Sequence, residues 1–304
     1  MMSEIVTIQD VYQVHQSLGL ESPKHPLITV VRTKAVDDFS KFTNVKIVNN
    51  LYQVAFKEVI LSQLNYGRNS YDFQEGTLVF TSPGQVSEYK ESSDAEASLR
   101  GWSLVFHPDL IRKSSLATKI EQYNFFNYES NEALHLSFDE LKHIEELRDK
   151  IIFEYQQNLD RHSLHLIVAN IEMLLDYCLR YYDRQFFSRS DLNQDVITKF
   201  EKILKSYYQT SKEDELGLPS IAYCASQLHL SQKYLSDLLK KETGKAAQEH
   251  IHLFIVEKAK NILLNSNDSI SQVAYALGFD YPQHFSNLFK SKTGNSPTEY
   301  RNLN

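Results

Sequence analysis

The sequence is poor in several features that would assign a protein to a class at once. Its 304 residues include only two cysteines, Cys178 and Cys224, which argues against a disulfide framework and a cysteine-based zinc site and suits a reducing compartment. It contains no run of roughly eighteen apolar residues, and its start, MMSEIVTIQDVYQVHQ, lacks the pattern of a secretory signal. We therefore expect a folded, cytoplasmic protein that does not bind a membrane.

Motifs of catalysis are missing as well. The strand-rich region contains only His25 and His107, without a His-x-His pair, whereas a metal site needs clustered histidine and carboxylate ligands. The sequence has no GxSxG motif, no phosphate-cradling glycine loop and no HExxH helix. We therefore predict no enzyme activity, no metal and no cofactor.

The charge is distributed unevenly along the chain. Residues 1–216 hold 23 Lys and Arg against 32 Asp and Glu, a net of −9, whereas residues 217–304 hold 9 against 7, a net of +2. Non-specific affinity for nucleic acid comes mostly from cations set against phosphates. On charge alone, the mildly basic tail is therefore a weak candidate for DNA binding.

Short apolar runs broken by turn residues dominate the chain between residues 27 and 107. They are LITVVR (27–32), VKIVNNLYQVAFKEVI (45–60), GTLVFTSPGQ (76–85) and GWSLVFHPD (101–109). Short strands without long helices between them predict an antiparallel barrel or sandwich. The acidic segment SEYKESSDAEAS (87–98) is then predicted to be a surface loop.

Aromatic side chains are frequent in this region, and two interpretations of them stay open. They form ordinary core, or some of them line a small-molecule site at the mouth of the barrel. The pattern does not identify individual ligand-binding residues. The aromatics concerned are Tyr52, Phe56, Tyr66, Tyr71, Phe73, Phe80, Tyr89, Trp102 and Phe106.

Two amphipathic helices are predicted after the strands, and together they form a helical hairpin. The first begins at Phe138 and repeats apolar residues as far as Leu159. The second carries apolar residues at alternating steps of four and three, the spacing of a coiled-coil seam. This seam forms a homodimer interface or covers the barrel or its neighbouring helix, and we favour dimerisation. Its residues are Leu164, Val168, Ile171, Leu175, Cys178 and Tyr182.

Polar segments flank one further short helix that precedes the tail. DRQFFSRSDLNQD (183–195) and SYYQTSKEDELGLPS (206–220) lack an apolar period over most of their length. We predict both to be hinges.

The tail contains an internal repeat. Ile221, Cys224, Ala225, Leu228 and Leu230 precede Ile270, Val273, Ala274, Leu277 and Phe279 by 49 residues. After one extra residue in the second copy, Leu235, Ser236, Leu238, Leu239, Lys240, Thr243 and Gly244 precede Phe285, Ser286, Leu288, Phe289, Lys290, Thr293 and Gly294 by 50. Similarity at a fixed spacing indicates a duplicated structural unit.

Each copy has the pattern of a helix-turn-helix. Ser220 or Ser269 caps a first helix, and the chain turns at His229 or Gly278. A second helix begins near Ser231 or Tyr281-Pro282 and stops at Gly244 or Gly294. The small Ala in each first helix allows close crossing, and the second helix projects into a major groove. A connecting helix over 247–266 joins the copies, so that their second helices could enter major-groove segments about 34 Å apart.

The motifs CASQLHLSQKYLSDLLKKETG and VAYALGFDYPQHFSNLFKSKTGNSPTEYR also carry a family resemblance. The tail, about the last hundred residues, resembles the tandem helix-turn-helix domain of the AraC/XylS family of bacterial transcription regulators. His284 and Ile255 depart from the residues common in that family, Tyr and Arg. The resemblance implies a cupin-like N-terminal domain, dimerising helices, and an activator that works with RNA polymerase.

The outward faces of the two second helices supply the candidate DNA contacts. Amides such as those of Gln283 and Asn287 can bond an adenine edge at two points, whereas Asp237 could accept only from a cytosine amino group. The base-reading candidates are Lys233, Ser236, Asp237, Gln283, Ser286 and Asn287. The phosphate-binding candidates, which position without specifying, are Lys240, Lys245, Lys290, Lys292 and Arg301.

Taken together, the patterns predict an α+β multidomain protein. Residues 1–135 form a cupin-like antiparallel β barrel or sandwich that senses an effector, 136–190 a dimerising helical hairpin, and 195–304 an all-α tandem helix-turn-helix domain. The predicted function is that of a dimeric, sequence-specific regulator that binds double-stranded DNA and responds to a small molecule or a protein. Two alternatives are a cupin-type metal enzyme with an accessory DNA-binding tail and a constitutive architectural DNA binder.

Overall fold

The computed structural model describes residues 5–33, 36, 45–58, 76–88, 101–158 and 160–303. The chain divides into two compact units, an N-terminal unit of Met1–Ser188 and a C-terminal unit of Arg189–Asn304. Four of the aromatics considered above, Tyr66, Tyr71, Phe73 and Tyr89, lie outside the described residues, as does Leu159 at the end of the predicted first helix.

The N-terminal unit combines eight described strands with five described α-helices. The strands are β1 (Ile5–Ile8), β2 (Ile28–Arg32), β3 (Lys46–Asn49), β4 (Tyr52–Lys57), β5 (Gly76–Thr81), β6 (Gln85–Glu88), β7 (Gly101–Phe106) and β8 (Leu134–Leu136). The helices are α1 (Val11–Leu18), α2 (Pro108–Ile111), α3 (Leu116–Lys119), α4 (Phe138–Gln156) and α5 (Ser163–Ser188). Short 3-10 turns join α3 to β8.

The strands form two sheets. The larger is antiparallel with the order β2-β7-β4-β5-β8, and the smaller has the order β1-β3-β6. In the smaller sheet β3 pairs antiparallel with β6 but parallel with β1. The parallel pairing departs from the purely antiparallel prediction, because β1 and α1 precede the segment in which strands were expected. The predicted loop over 87–98 begins later than expected, since Ser87 and Glu88 belong to β6, and its remainder lies outside the described residues.

The two faces of the larger sheet bury different layers. Successive strand residues point to opposite faces. Val31 and Val105 on one face belong to an apolar cluster with Leu51, and Ile8 of β1 packs against this cluster. On the other face, the ring of Phe80 lies 6.1 Å from that of Tyr182 in α5. The larger sheet is therefore covered by the smaller sheet on one side and by the helical layer on the other.

Helices α4 and α5 form the predicted hairpin. Ser137 and Glu140 close a capping box at the start of α4, with Ser137 Oγ accepting from Glu140 N (3.2 Å) and Glu140 Oε2 from Ser137 N (2.9 Å). Arg184 of α5 donates to the same Glu140 carboxylate (2.7 Å) and to the His135 carbonyl oxygen (2.7 Å). These bonds tie α5 both to α4 and to β8.

The predicted dimer seam is mostly used inside this unit. Five of its six residues are buried, and only Leu164 is exposed. The five pack within the N-terminal unit because an amphipathic helix next to a β-sheet first buries its apolar stripe against that sheet. This burial favours the alternative interpretation, a helix that covers the barrel or its neighbour, for Val168, Ile171, Leu175, Cys178 and Tyr182.

The C-terminal unit is helical throughout its described length. Its helices are α6 (Ser190–Gln209), α7 (Lys212–Leu216), α8 (Ile221–Leu228), α9 (Gln232–Thr243), α10 (Ala247–Asn265), α11 (Ile270–Ala276), α12 (Pro282–Thr293) and α13 (Pro297–Leu303). The first predicted hinge, 183–195, contains the boundary between the two units at Ser188 and Arg189, but both predicted hinges are largely helical. Residues 183–188 complete α5, residues 190–195 begin α6, and 206–220 contain the end of α6 and all of α7.

The misjudged second hinge contains core residues. Tyr207 and Tyr208 are both buried, so the segment contributes packing although its neighbours are charged. The predicted class, a strand-rich N-terminal region followed by a helical C-terminal region, is confirmed, and the strand-rich region consists of two sheets. Within the described residues, every helix is too short or too polar to pass through a bilayer.

Candidate nucleic-acid interface

Each repeat begins with a capped first helix and a turn of positive φ. Ser220 Oγ accepts from Tyr223 N (3.1 Å) before α8, and Ser269 Oγ accepts from Gln272 N (3.2 Å) before α11. The turns follow at His229 (φ 55°) and Gly278 (φ 89°). The serine caps and the turns at these two residues are confirmed. A single residue in the left-handed region is enough to reverse the chain sharply after a helix.

The second helices also end alike. Ser231 Oγ caps α9 through Tyr234 N (3.1 Å), whereas α12 starts with Pro282 in its first turn. Gly244 (φ 73°) and Gly294 (φ 82°) terminate the two helices. Since the left-handed region disfavours residues with a Cβ, glycine is the residue best suited to both ends.

The inner faces of the paired helices match position by position. Ala225 and Ala274 are buried where α8 meets α9 and where α11 meets α12. Leu235 and Leu239 are buried in α9 at the positions that Phe285 and Phe289 occupy in α12. Leu288, which corresponds to the buried Leu238 of the first pair, is only half-buried.

Helix α10 connects the two pairs. Ile251, Ile255 and Ala259 are buried along one face, and Ile262 is half-buried. Ile255, one of the two departures from the family pattern, therefore points into the core of the C-terminal unit. A hydrophobic contact replaces whatever polar contact an Arg would make at this position.

The outward faces carry the predicted base-reading residues. Lys233 on α9 and Gln283 and Asn287 on α12 are exposed. Asp237 and the two serines, Ser236 and Ser286, are half-buried. The Ser236 hydroxyl donates to the Gln232 carbonyl oxygen (2.7 Å), so its hydrogen is engaged within its own helix. The second copy thus presents two exposed amides, and the first copy presents a cation next to a carboxylate.

A family profile described as a helix-turn-helix domain matches residues 224–303, the part of the chain that holds both pairs. Over 77 residues the chain is 36% identical to the HTH-type transcriptional activator RhaS of Escherichia fergusonii, a match that covers 25% of this chain and 28% of RhaS. The tail carries an AraC-type helix-turn-helix domain.

Other similarities extend over different lengths of the chain. The uncharacterized HTH-type transcriptional regulator YisR of Bacillus subtilis is 21% identical over 277 residues, which cover 86% of this chain and 89% of YisR. A solved structure, the C-terminal domain of the response regulator AraT from Geobacillus stearothermophilus, is 28% identical and covers 36% of this chain and 84% of that domain, with a TM-score of 0.31. The match to RhaS spans less than a third of the length of RhaS.

The five phosphate candidates of the AraC-type domain fall into two groups. Lys240, Lys245 and Lys290 are exposed. Lys292 of α12 instead lies 2.6 Å from the Glu249 carboxylate of α10, and this bond lowers the pKa of Glu249. Arg301 donates through Nε to the Leu263 carbonyl oxygen (3.0 Å), which caps the end of α10. Lys292 and Arg301 are therefore held by intramolecular contacts that the sequence did not reveal.

Sequence reasoning also passed over exposed residues in the first turn of each second helix. Gln232 stands next to Lys233, and His284 next to Gln283, and both are exposed. The His284 ring packs edge to face against Tyr281, with centroids 5.4 Å apart. The sequence did point to His284, because this residue differs from the Tyr common in the family and stands next to Gln283, a predicted base-reading residue. These two residues widen the outward faces of α9 and α12 toward their N-termini.

The N-terminal unit contains a cavity of about 480 Å³ between one end of the larger sheet and α4. Trp102 is 2% exposed and stacks on Phe56 (5.9 Å), and the Arg148 guanidinium lies 5.5 Å from its ring. The buried Trp102 Nε1 has no hydrogen-bond partner among the described residues. Arg32 and Glu145 also line the cavity, so that it presents charges of both signs. Arg148 itself is paired with Glu145 (2.9 Å).

Potential metal ligands do not form a cluster in the described part of the chain. Among them, no three histidine, cysteine or carboxylate side chains lie close enough to hold a metal ion. Cys178 and Cys224 are both buried, and burial raises the pKa of each thiol. Both thiols are therefore protonated at neutral pH and fit the apolar core.

Proposed function

We propose that this protein is a sequence-specific, DNA-binding transcription regulator. One observation carries the proposal: an AraC-type domain with two matching helix-turn-helix pairs joined by α10, whose second helices present polar outward faces. A helix of this kind reads base edges from the major groove. Two such helices on one connecting helix would read two successive groove segments.

The division of labour between the two second helices follows from their chemistry. Gln283 and Asn287 can each donate and accept at an adenine edge, so we assign the stronger sequence preference to α12. Lys233 of α9 can donate to guanine, while Asp237 limits the bases accepted beside it. Lys240, Lys245 and Lys290 would bind phosphates and hold both helices in register.

Selection of bound duplexes from a random pool tests this proposal with the full chain. We expect a site with two conserved blocks about one helical turn, roughly 34 Å, apart, and a stronger preference in the block read by α12. A pool that stays random after repeated selection would contradict sequence-specific binding.

The salt dependence of binding tests the assignment of the phosphate contacts. With three lysines per chain, the logarithm of the binding constant should fall against the logarithm of salt concentration with a slope of about −2.7 per chain. If Lys292 and Arg301 also reached phosphates, the slope would approach about −4.5. A Lys292→Gln variant with an unchanged slope supports the intramolecular role of Lys292.

We further propose that the regulator acts as a homodimer in the cytoplasm, joined through the N-terminal unit. Few cations contact DNA in one chain, and a linked second chain raises the effective concentration at a second site. The support lies on the outer surface of the hairpin, where Leu166 and Met173 of α5 and Phe153 of α4 are exposed. Sedimentation at micromolar concentration should show a dimer that Met173→Glu converts to monomer and Met173→Leu does not. Monomer alone, with and without operator DNA, would contradict dimerisation.

Control by an effector in the N-terminal unit is the third part of the proposal. The cavity beside Trp102 supports it, because a buried indole N–H without a partner is satisfied when a ligand supplies an acceptor. Trp102 is the sole tryptophan, so its emission reports on this cavity alone. A metabolite panel should contain a compound that shifts both the emission and the thermal transition. If no compound changes either, ligand control is contradicted, and the effector would be a protein or absent.

By its family resemblance, the regulator would be an activator that works with RNA polymerase. Transcription of a reporter behind the selected site should rise when the intact chain and the polymerase are both present. A fall in transcription would mean repression. Activation that needs no effector in cells lacking any inducer would favour the constitutive architectural binder, and a stoichiometric first-row metal in purified protein would favour the cupin-type enzyme.

A further inference from the structure

The two helix-turn-helix pairs meet at a second place besides α10. There the end of α6, the segment before α8 and the turn between α11 and α12 come together. We call this contact the tyrosine junction. Its residues are Tyr207, Tyr208, Gly217, Leu277 and Gly278.

Tyr208 lies at the centre of the junction. It is buried, and its hydroxyl donates to the Leu277 carbonyl oxygen (3.1 Å) in the turn that leads into α12. Its ring stacks on Phe254 of α10 (6.0 Å), and the Lys258 ammonium lies 4.7 Å from the ring centroid. Burial raises the pKa of the Tyr208 hydroxyl, so the group keeps the proton that it donates. One side chain thus joins α6, α10 and the second turn.

Two glycines allow the backbones to touch beside this tyrosine. A Cβ on Gly278 would lie 2.7 Å from the carbonyl carbon and oxygen of Gly217. Tyr207 donates to that same Gly217 oxygen (3.0 Å), and its ring packs against Tyr223 of α8 (5.0 Å). The segment that leads into the first pair is therefore held directly against the turn of the second pair.

A small change of angle at this contact produces a large displacement at the far end of α12. The turn at Leu277 and Gly278 leads into α12, which has twelve residues and is about 18 Å long. A tilt of about 10° at the turn would move the far end of α12 by about 3 Å, nearly the 3.4 Å rise of one base pair. A small change in the angle at the junction would therefore shift the end of α12 by about one base pair along the DNA.

We infer that Tyr208 is a positioning residue that fixes α12 relative to α9 and thereby sets the spacing between the two DNA blocks that the protein accepts. The effect on spacing rests on the proposed function. The effect on the separation of the helices does not, because it belongs to the free protein. If α10 alone fixed the two pairs, loss of the Tyr208 hydroxyl would leave the helix separation unchanged.

The DNA-free test measures the distance between α9 and α12 in the full chain. Spin labels go on Gln232→Cys and Ser291→Cys, both exposed sites, while Cys178 and Cys224 are buried and protected from labelling. In Tyr208→Phe, which keeps the ring and its stack, the distance distribution should broaden or shift by about 3 Å. Tyr275→Phe, at an exposed tyrosine of α11, is the matched control and should leave it unchanged.

Tyr207→Phe is the second variant, because it removes the hydrogen bond on the other side of the junction. It should change the distance distribution in the same direction as Tyr208→Phe. A wild-type distribution in a folded Tyr208→Phe protein, verified by circular dichroism, overturns the inference.

The DNA test varies the spacing of the selected blocks by one or two base pairs. Wild type should discriminate against altered spacings, and Tyr208→Phe should lose about two- to tenfold of that discrimination, the range of one hydrogen bond. If wild type shows no preferred site, the proposed function fails. If wild type prefers one spacing and Tyr208→Phe keeps the same preference within about twofold, only the positioning role fails.

Discussion

The two helix-turn-helix pairs share the positions that build the fold and differ at the positions that face outward. Both have a serine cap, a buried alanine at the crossing and a glycine in the left-handed region after the second helix. Even the threonine before each final glycine is used alike, since Thr243 and Thr293 donate to the Leu239 and Phe289 carbonyl oxygens (2.6 and 2.8 Å). The two copies therefore have the same backbone requirements at these positions.

The differences lie in the turns and in the outward faces. The first turn uses His229, whereas the second uses Gly278, beside which Gly217 leaves no room for a Cβ. The outward set of α9 includes Lys233 and Asp237, and that of α12 includes Gln283 and Asn287. The second turn therefore has the tighter packing, and α12 exposes amides where α9 carries Lys233 and Asp237.

The largest expected effect comes from exchanging the turn residues. Gly278→Ala should destabilise the C-terminal unit by about 2–4 kcal/mol, because its Cβ meets backbone and its φ of 89° disfavours alanine. His229→Gly at the equivalent turn should change stability by less than about 1 kcal/mol, because glycine adopts positive φ freely. Urea unfolding followed by circular dichroism measures both. Equal losses of stability at the two turns would contradict the difference in packing between Gly278 and His229.

The next effect concerns base reading by α12. Asn287→Ala should relax the preference at one base pair and weaken binding to the selected site by about 1–3 kcal/mol. Lys290→Ala, one turn away and exposed, should weaken binding on every sequence to a similar degree and reduce the salt slope by about 1. Titrations against single-base variants of the site distinguish the two patterns. A uniform loss in Asn287→Ala would mean that Asn287 reads no base.

A smaller effect is expected from the carboxylate of α9. In the proposed complex the Asp237 carboxylate would lie near the phosphates, so Asp237→Asn should raise the affinity by about 0.3–1 kcal/mol at low salt, and this gain should shrink as salt screens it. Ser286→Ala in α12 alters no charge and is the control for salt dependence. Weaker binding of Asp237→Asn to the selected site alone would show that Asp237 accepts a specific bond from a base.

The smallest expected effect is a pH dependence of stability that arises at the first pair. His250 Nε2 lies 2.8 Å from Thr243 Oγ1, whereas the Thr293 hydroxyl of the second pair lies 2.9 Å from the Asn295 carbonyl oxygen. Burial lowers the pKa of His250 below 6.5, so below that pH the unfolded chain binds more protons than the folded one. Stability should therefore fall as the pH drops through about 6.5.

Thermal unfolding between pH 7.5 and 5.5 checks this expectation. His250→Gln should flatten the pH dependence while keeping a polar partner for Thr243. Burial also lowers the pKa of His252, so a residual dependence is expected in that variant. An unchanged profile in His250→Gln would assign the effect to other groups.

Much of the C-terminal unit could be predicted because its signals are local. Ser220, Ser269, Gly244 and Gly294 act through bonds and dihedral angles within a few residues of themselves, so their spacing was enough. The outward positions of α9 and α12 followed from helical periodicity. The intramolecular contact of Arg301 could not be predicted, because its partner, the Leu263 carbonyl oxygen, is 38 residues away in the sequence.

The sequence by itself determined the duplicated helix-turn-helix, its caps, its turns and the strand-rich character of the first region, since each rests on a period or on a local dihedral preference. Only the tertiary structure decided which partners the apolar and charged side chains contact. Most of the apolar seam of α5 is buried inside its own unit. Tyr207 and Tyr208 pack in the core, although their segment was predicted to be a hinge, and Lys292 forms an ion pair with Glu249. The physical reason is that a periodic apolar stripe or an isolated charge indicates that a residue will pack or pair with another. Which residue that is depends on contacts between segments far apart in the chain.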